Sequence, residues 1–261
     1  MRLHFLGTGT SFGVPVVGCR CATCTSDDPR DRRTRHGAVL EHERGTLLVD
    51  TPPELREQLV RAGISRIDAV WFTHDHADHT HGIDDLRVFS VRLRQHVEAH
   101  ADAVTAASLR RKFQYIFDES YQPPEGTSKP EIRLHEFAPG LPVLVAGREL
   151  LPLAVPHGDL TAYGFRCGSL GYITDAKRLS EEVQAALAGV RVLVLNALWF
   201  GHPHPTHFNV EEAVATARRI GAERTFLTHL THRVRHAQLC ERLPDGILPA
   251  HDGLVIDIPE P

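Results

Sequence analysis

The sequence predicts an α/β fold, with two β-sheets and helices packed outside them. Three observations carry this expectation. Apolar runs of strand length recur along the chain, segments of helical periodicity are interspersed among them, and several runs end on a His or Asp. With 261 residues, 42 % of them apolar and 24 % charged, the chain reads as an ordinary soluble globular protein with one domain over 1–261.

The elements follow in order. Residues 3–6 read as a strand that feeds a glycine-rich turn, Gly7-Thr8-Gly9-Thr10-Ser11-Phe12-Gly13. Residues 38–40 and 46–49 are strands flanking a turn at Glu43-Arg44-Gly45. Residues 53–62 have helical spacing, with Leu55, Leu59 and Ala62 on one face. The apolar run 69–72 is a strand, and 84–91 and 105–117 are helices. Leu109, Phe113, Ile116 and Phe117 form the apolar stripe of the second helix. Residues 122–130 (QPPEGTSKP) form a loop and a candidate lid. Short strands follow at 133–136, 150–155, 165–167, 169–173 and 192–195. Residues 210–220 form an amphipathic helix opened by Asn209 as N-cap; strands at 224–227 and 254–258 close the chain.

Charge and hydropathy exclude some functions. A formal net charge of −4 gives no electrostatic case for wrapping nucleic acid. The basic runs at 30–35 and Arg110-Arg111-Lys112 read as solvated surface or phosphate-facing side chains, and Arg87 as helix surface. No apolar run approaches the roughly eighteen residues of a membrane span. The N-terminus is broken by Gly7 too early for a signal peptide, so a cytoplasmic location is expected.

The strongest chemical signal is His74-Asp75-His76-Ala77-Asp78-His79, directly after the apolar run Ala69-Val70-Trp71-Phe72. Four good metal ligands lie within six residues, where a tight loop can aim His74 and His76 at one ion and Asp78 and His79 at a neighbour. Imidazole with carboxylate suits Zn²⁺, Mn²⁺ or Fe, and a mixed N/O pair of ions suits hydrolysis. His157, Asp175 and His229 each end an apolar run in the same way. Cys19, Cys21 and Cys24 are packed into one short segment, which asks for metal or redox chemistry; Cys167 and Cys240 have no companions.

Together these residues resemble the metallo-β-lactamase superfamily, an αββα sandwich of two mixed sheets flanked by helices. The resemblance implies that His74, His76 and His157 hold one metal and that Asp78, His79 and His229 hold the other, with Asp175 bridging. It implies that Asp50, ending the strand at 46–49, orients a ligand imidazole from behind. Thr206-His207-Phe208-Asn209 resembles the extra catalytic His of the superfamily's phosphodiesterases. His207, preferred over the nearby His202 and His204, would stabilise phosphoryl charge and protonate the leaving oxygen.

Within the superfamily, the cysteine cluster with the late His229-x-x-His232 resembles the phosphoribosyl 1,2-cyclic phosphate phosphodiesterases (PhnP). Gly7-Thr8-Gly9-Thr10, Gly13-Val14-Pro15, Gly82-Ile83-Asp84-Asp85-Leu86-Arg87 and Thr228-His229-Leu230-Thr231-His232 extend the likeness over nearly the whole chain. It implies a structural zinc on Cys19, Cys21, Cys24 and His232, and two active-site Mn or Zn ions sharing a hydroxide nucleophile. The implied substrate is a small cyclic phosphodiester, with a homodimer by analogy; no membrane partner is expected, and the net charge of −4 disfavours nucleic acid. PqqB-like proteins of cofactor biosynthesis and RNA-processing nucleases of the same fold are the alternative readings; a non-catalytic zinc module is a third.

Overall fold

The computed structural model describes residues 1–260. The first half supplies β1 (Arg2–Gly7), β2 (Gly37–His42), β3 (Gly45–Val49), β4 (Ala69–Trp71), β5 (Val97–Asp102) and β6 (Ile132–Phe137). The second half supplies β7 (Val143–Val145), β8 (Arg148–His157), β9 (Leu160–Cys167), β10 (Leu170–Tyr172), β11 (Val192–Asn196), β12 (Arg224–Thr228) and β13 (Ile247–Pro249). A last strand, β14 (Val255–Asp257), returns to the first sheet beside β1. Among the described residues these make two seven-stranded sheets, ordered β14-β1-β2-β3-β4-β5-β6 and β13-β12-β11-β10-β9-β8-β7. Each is mixed: β3 to β6 and β10 to β13 are parallel, the remaining neighbours antiparallel.

Period-two alternation sorts the side chains. Leu3, Phe5, Leu40, Leu47, Val49 and Trp71 face the second sheet and meet Phe165, Tyr172, Val194 and Phe226. Trp71 stacks on Phe137 at 4.2 Å and donates its indole N–H to the Tyr163 carbonyl, joining the sheets. The alternate residues Leu6, Val39, Leu48, Val70 and Phe72 face outward under the helices α1 (Leu55–Ala62), α2 (Ala77–Thr80), α3 (Arg87–Leu93), α4 (Ala103–Lys112) and α5 (Gln114–Phe117) or the loops between them. On the other side, α6 (Glu181–Ala186), α7 (Val210–Ile220) and α8 (His236–Arg242) cover the second sheet. The two-sheet sandwich is therefore as expected. Strands buried on both faces explain the unbroken apolar runs that end in His or Asp.

Several elements differ from expectation. The stretch 105–117 is two helices, broken at Phe113, whose φ of −121° and ψ of 49° leave the helical region. The helix expected at 84–91 opens as a 3₁₀ turn, Ile83–Leu86, before α3. β8 runs on to His157, so that candidate ligand is the last strand residue. The QPPEGTSKP loop is irregular, but Gln122, Pro123 and Lys129 border a separate surface cavity with Arg110 and Arg133, so it is no lid over the His cluster. Arg87 and Arg110 are paired with Asp84 and Glu136 on the surface.

Candidate metal centre

The His-rich loop and the isolated His and Asp residues converge at one edge of the sandwich, because each leaves the C-terminal end of a strand. Asp50 follows β3, His74 follows β4, Asp175 follows β10 and His229 follows β12. Asp50, Asp175 and His229 all take a positive φ, 61°, 55° and 59°. That left-handed conformation costs an L-residue roughly 1–3 kcal/mol and is concentrated at functional sites. It turns each side chain off its strand toward the common edge. Gly158 has a φ of +62°, and a Cβ there would meet Thr206 Cγ2 at 2.9 Å. The bare backbone lets the Thr206-His207 segment close on His157.

Two candidate ligand triads result. His74, His76 and His157 bring one nitrogen each within 4.8 Å of one another, as do the ligand atoms of Asp78, His79 and His229. His74 Nε2 and His157 Nε2 lie 3.0 and 3.3 Å from His76 Nδ1. Asp175 stands between the triads: one oxygen is 3.5 Å from His79 Nε2, the other 3.2 Å from His229 Nε2 and 3.9 Å from His157 Nε2. His207 Nε2 is 2.8 Å from the same Asp175 oxygen, and its ring lies 4.7 Å from His157 and 4.9 Å from His229.

The donor set fits divalent ions. His79 Nε2 and both ring nitrogens of His229 are buried without a hydrogen-bond partner, a condition that costs about 1–3 kcal/mol each when nothing coordinates them. Burial drives His74 well below, and His157 below, the usual imidazole range, and drives His229 down to about 4, so all three favour the neutral ligand form. For Asp175, burial pushes the carboxyl up, but His229, His79 and His207 outweigh it and hold it well below the carboxylate range. These clusters can therefore bind metal. Behind them, His36 bonds the buried Tyr172 hydroxyl at 2.9 Å, with its ring 5.7 Å from His79 and 6.0 Å from His229. No sequence spacing pointed to His36 or Tyr172.

The cysteines form a second cluster. Cys19, Cys21 and Cys24 place Sγ at 3.3, 3.5 and 3.6 Å from His232 Nδ1. Zn–S and Zn–N bonds of tetrahedral zinc imply S···N edges of about 3.5 Å. Backbone N–H groups of Val16 and Cys24 point at Cys24 Sγ and Cys21 Sγ, and the Cys24 bond leads the influences that bring the Cys21 thiol down to about 6. All five cysteines are free, and Cys19, Cys21, Cys24 and His232 bring four donor atoms together that could hold a metal ion. The buried Arg33 guanidinium donates to the Thr231 and Val234 carbonyls and pairs with Asp31, tying the N-terminal loop to the segment that carries His229 and His232.

Comparison with known proteins agrees with this geometry. Residues 46–230 match the family model for a beta-lactamase superfamily domain. A crystal structure of a new diphosphatase from the PhnP family is 36% identical, covers 99% of this chain and 98% of its own, and superposes with a TM-score of 0.90. The chain belongs to the PhnP family. As a PhnP-family member it has the metallo-β-lactamase sandwich of a metal-dependent hydrolase. Zinc-bound PqqB from Methylobacterium extorquens shares the fold at 19% identity and a TM-score of 0.81, over 99% of this chain and 100% of that one. An octanoyltransferase from Porphyromonas gingivalis is 37% identical over 100% of this chain but 52% of its own length. The chain thus spans about half of that relative. No helix among the described residues is long and apolar enough to cross a membrane.

Proposed function

We propose that the chain is a cytoplasmic phosphodiesterase that opens a small cyclic phosphodiester using two divalent ions, with a third, structural zinc on Cys19, Cys21, Cys24 and His232. The observation that carries this reading is Asp175, placed within reach of both ligand triads and bonded to His207. Two ions held by His74, His76, His157, Asp78, His79 and His229 would supply Lewis acidity and acidify water beside the phosphorus.

The residues then divide the work. Asp175 keeps its negative charge between the triads and fixes the orientation of His207. Thr206 Oγ1 lies 2.8 Å from His207 Nδ1 and holds the other side of the ring. His207 delivers a proton to the leaving oxygen as water forms the new P–O bond and the ring P–O bond breaks. Ser11 and Asp159 line the adjacent cleft, whose volume of about 420 Å³ suits a small ester rather than a polynucleotide. Free, clustered cysteines suit a reducing compartment.

A second reading is diphosphate hydrolysis, favoured by the solved diphosphatase at 36% identity. Octanoyl transfer is not carried over from the Porphyromonas protein, of which the chain matches only 52%. The test is hydrolysis of 5-phosphoribosyl 1,2-cyclic phosphate by Mn²⁺-loaded protein, followed by ³¹P NMR. Ring opening to a phosphomonoester supports the phosphodiesterase. Turnover of a diphosphate alone selects the second reading, and turnover of neither by protein with filled metal sites rejects both.

A further inference from the structure

Four of the candidate ligand imidazoles are buried, those of His74, His79, His157 and His229. Each turns Nε2 toward the cluster, which leaves Nδ1 as its outer nitrogen. A ligand imidazole is ordinarily aimed through that outer nitrogen, by a hydrogen bond that fixes its tautomer and ring orientation. Three of the four follow the rule. His79 Nδ1 meets Asp50 Oδ2 at 2.6 Å, His74 Nδ1 meets Thr73 Oγ1 at 3.0 Å, and His157 Nδ1 meets the Thr206 carbonyl at 3.3 Å. His229 Nδ1 is buried with no hydrogen-bond partner among the described residues. Something other than a hydrogen bond sets this ring.

Three imidazoles pack around it. His207 lies 4.9 Å away at an interplanar angle of 17°, His79 6.0 Å away at 23°, and His36 6.0 Å away at 58°. His79 and His207 have tasks of their own in the metal clusters; His36 belongs to none of them. Both of its nitrogens are engaged elsewhere: Nε2 lies 2.9 Å from the Tyr172 hydroxyl and Nδ1 3.4 Å from Thr228 Oγ1. His36 directly precedes β2 of the first sheet, whereas Tyr172 ends β10 and Thr228 ends β12 of the second. The fully buried ring is therefore pinned across the sandwich to the two strands that lead to Asp175 and His229. In a close-packed interior such a ring transmits its position by contact alone.

We propose that His36 is the positioning residue for His229: pinned by Tyr172 and Thr228, its ring sets by packing the orientation that Asp50 sets for His79 by a hydrogen bond. The inference rests on the two-metal reading, in which His229 is a ligand, and extends it to what aims that ligand.

Equilibrium dialysis of the full-length protein against graded Mn²⁺, with bound ions counted per chain, tests this. His36→Ala should weaken one of the two Mn²⁺ steps by about 10- to 100-fold, the scale on which residues behind a ligand act, and leave the other unchanged. His36→Gln, which can still bond Tyr172 but has no ring, should match His36→Ala. The double variant His36→Phe with Tyr172→Phe removes both bonding partners and keeps both rings, and loss of the Tyr172 hydroxyl makes room for the larger ring. It should bind both ions like the wild type. The reverse pattern, with Gln retaining affinity and the Phe pair losing it, would make the hydrogen bonds decisive and overturn the packing role. If His36→Ala fails to fold, the Gln and Phe variants decide alone.

Combined with Asp50→Asn, His36→Ala should add its full loss, because the two residues aim different ligands. A combined loss no larger than that of Asp50→Asn alone would route both effects through His79 and overturn the assignment to His229. Wild-type protein that takes up fewer than two Mn²⁺ would sink the two-metal reading and this inference with it. Two ions bound equally tightly by the wild type and His36→Ala would overturn the role of His36 and leave the two-metal reading standing.

Discussion

His79 Nδ1 lies 2.6 Å from Asp50 Oδ2, and both side chains are fully buried. Thr73 saturates the same carboxylate, donating its N–H to Oδ1 and its hydroxyl to Oδ2, each at 2.8 Å. The carboxylate thus fixes a proton on Nδ1 and turns Nε2 toward Asp78 and Asp175. Burial pushes His79 toward the neutral form, but Asp175, Asp50 and Asp78 outweigh it and raise the imidazole to about 10. The field that holds a proton on Nε2 is the field that would hold a metal ion there, so metal uptake should release a proton.

Asp50→Asn should therefore weaken metal binding without removing a ligand. The expected loss is about 10- to 100-fold in affinity at the site containing His79, the usual scale for a residue that orients a ligand imidazole. Metal content after dialysis against limiting Mn²⁺ checks it. Full occupancy in the variant would show that His79 needs no orienting carboxylate.

The cysteine cluster makes a separable prediction. Cys21→Ser removes one of four atoms that converge within 4.8 Å, and His232 is only three residues from His229. The variant should lose one zinc per chain, melt at lower temperature and lose activity in parallel. Full zinc content with an unchanged Tm would separate the cysteines from a structural metal.

His207 offers two roles that one variant distinguishes. Its 2.8 Å contact with Asp175 permits proton delivery, and its inclusion with His157 and Asp175 in one cluster also permits ligation. His207→Ala should lower kcat by about 10²- to 10⁴-fold, the range of general acid catalysis, while metal content stays full. Loss of a metal ion with the activity would make His207 a ligand instead.

The residues that carry these predictions were legible because strands buried on both faces are apolar until they stop. A His or Asp ending such a run stands out, as His157, Asp175 and His229 do. β5 was not legible: its sequence, Val97-Glu98-Ala99-His100-Ala101-Asp102, puts polar residues on the face that carries the His135–Glu98 contact. β7 and β13 are three residues each and, unlike the equally short β4 and β10, lead into no residue of the metal-ligand pattern. α8 starts at His236 with no side-chain cap, so no start signal marks it. His36 and Tyr172 meet only through the fold, and neither belongs to a motif.

The buried His100 gives a prediction that is independent of the metals. Its Nδ1 has no partner, and it is 6 % exposed on β5 beside His135, ring to ring at 5.0 Å. Burial first, then the neighbouring His135, lowers its imidazole from 6.5 to about 4, with Glu98 opposing. Between those values the unfolded chain binds more protons than the folded one, so stability falls as pH drops from about 6.5 toward about 4. His236 acts in the same direction, lowered to about 4 by burial and then by Arg30. His100→Leu removes one of the two groups and also the unpartnered nitrogen. Its Tm should fall less steeply than the wild type's over that window when both are measured at one fixed metal concentration. Parallel curves would mean that His100 takes up its proton without resisting it.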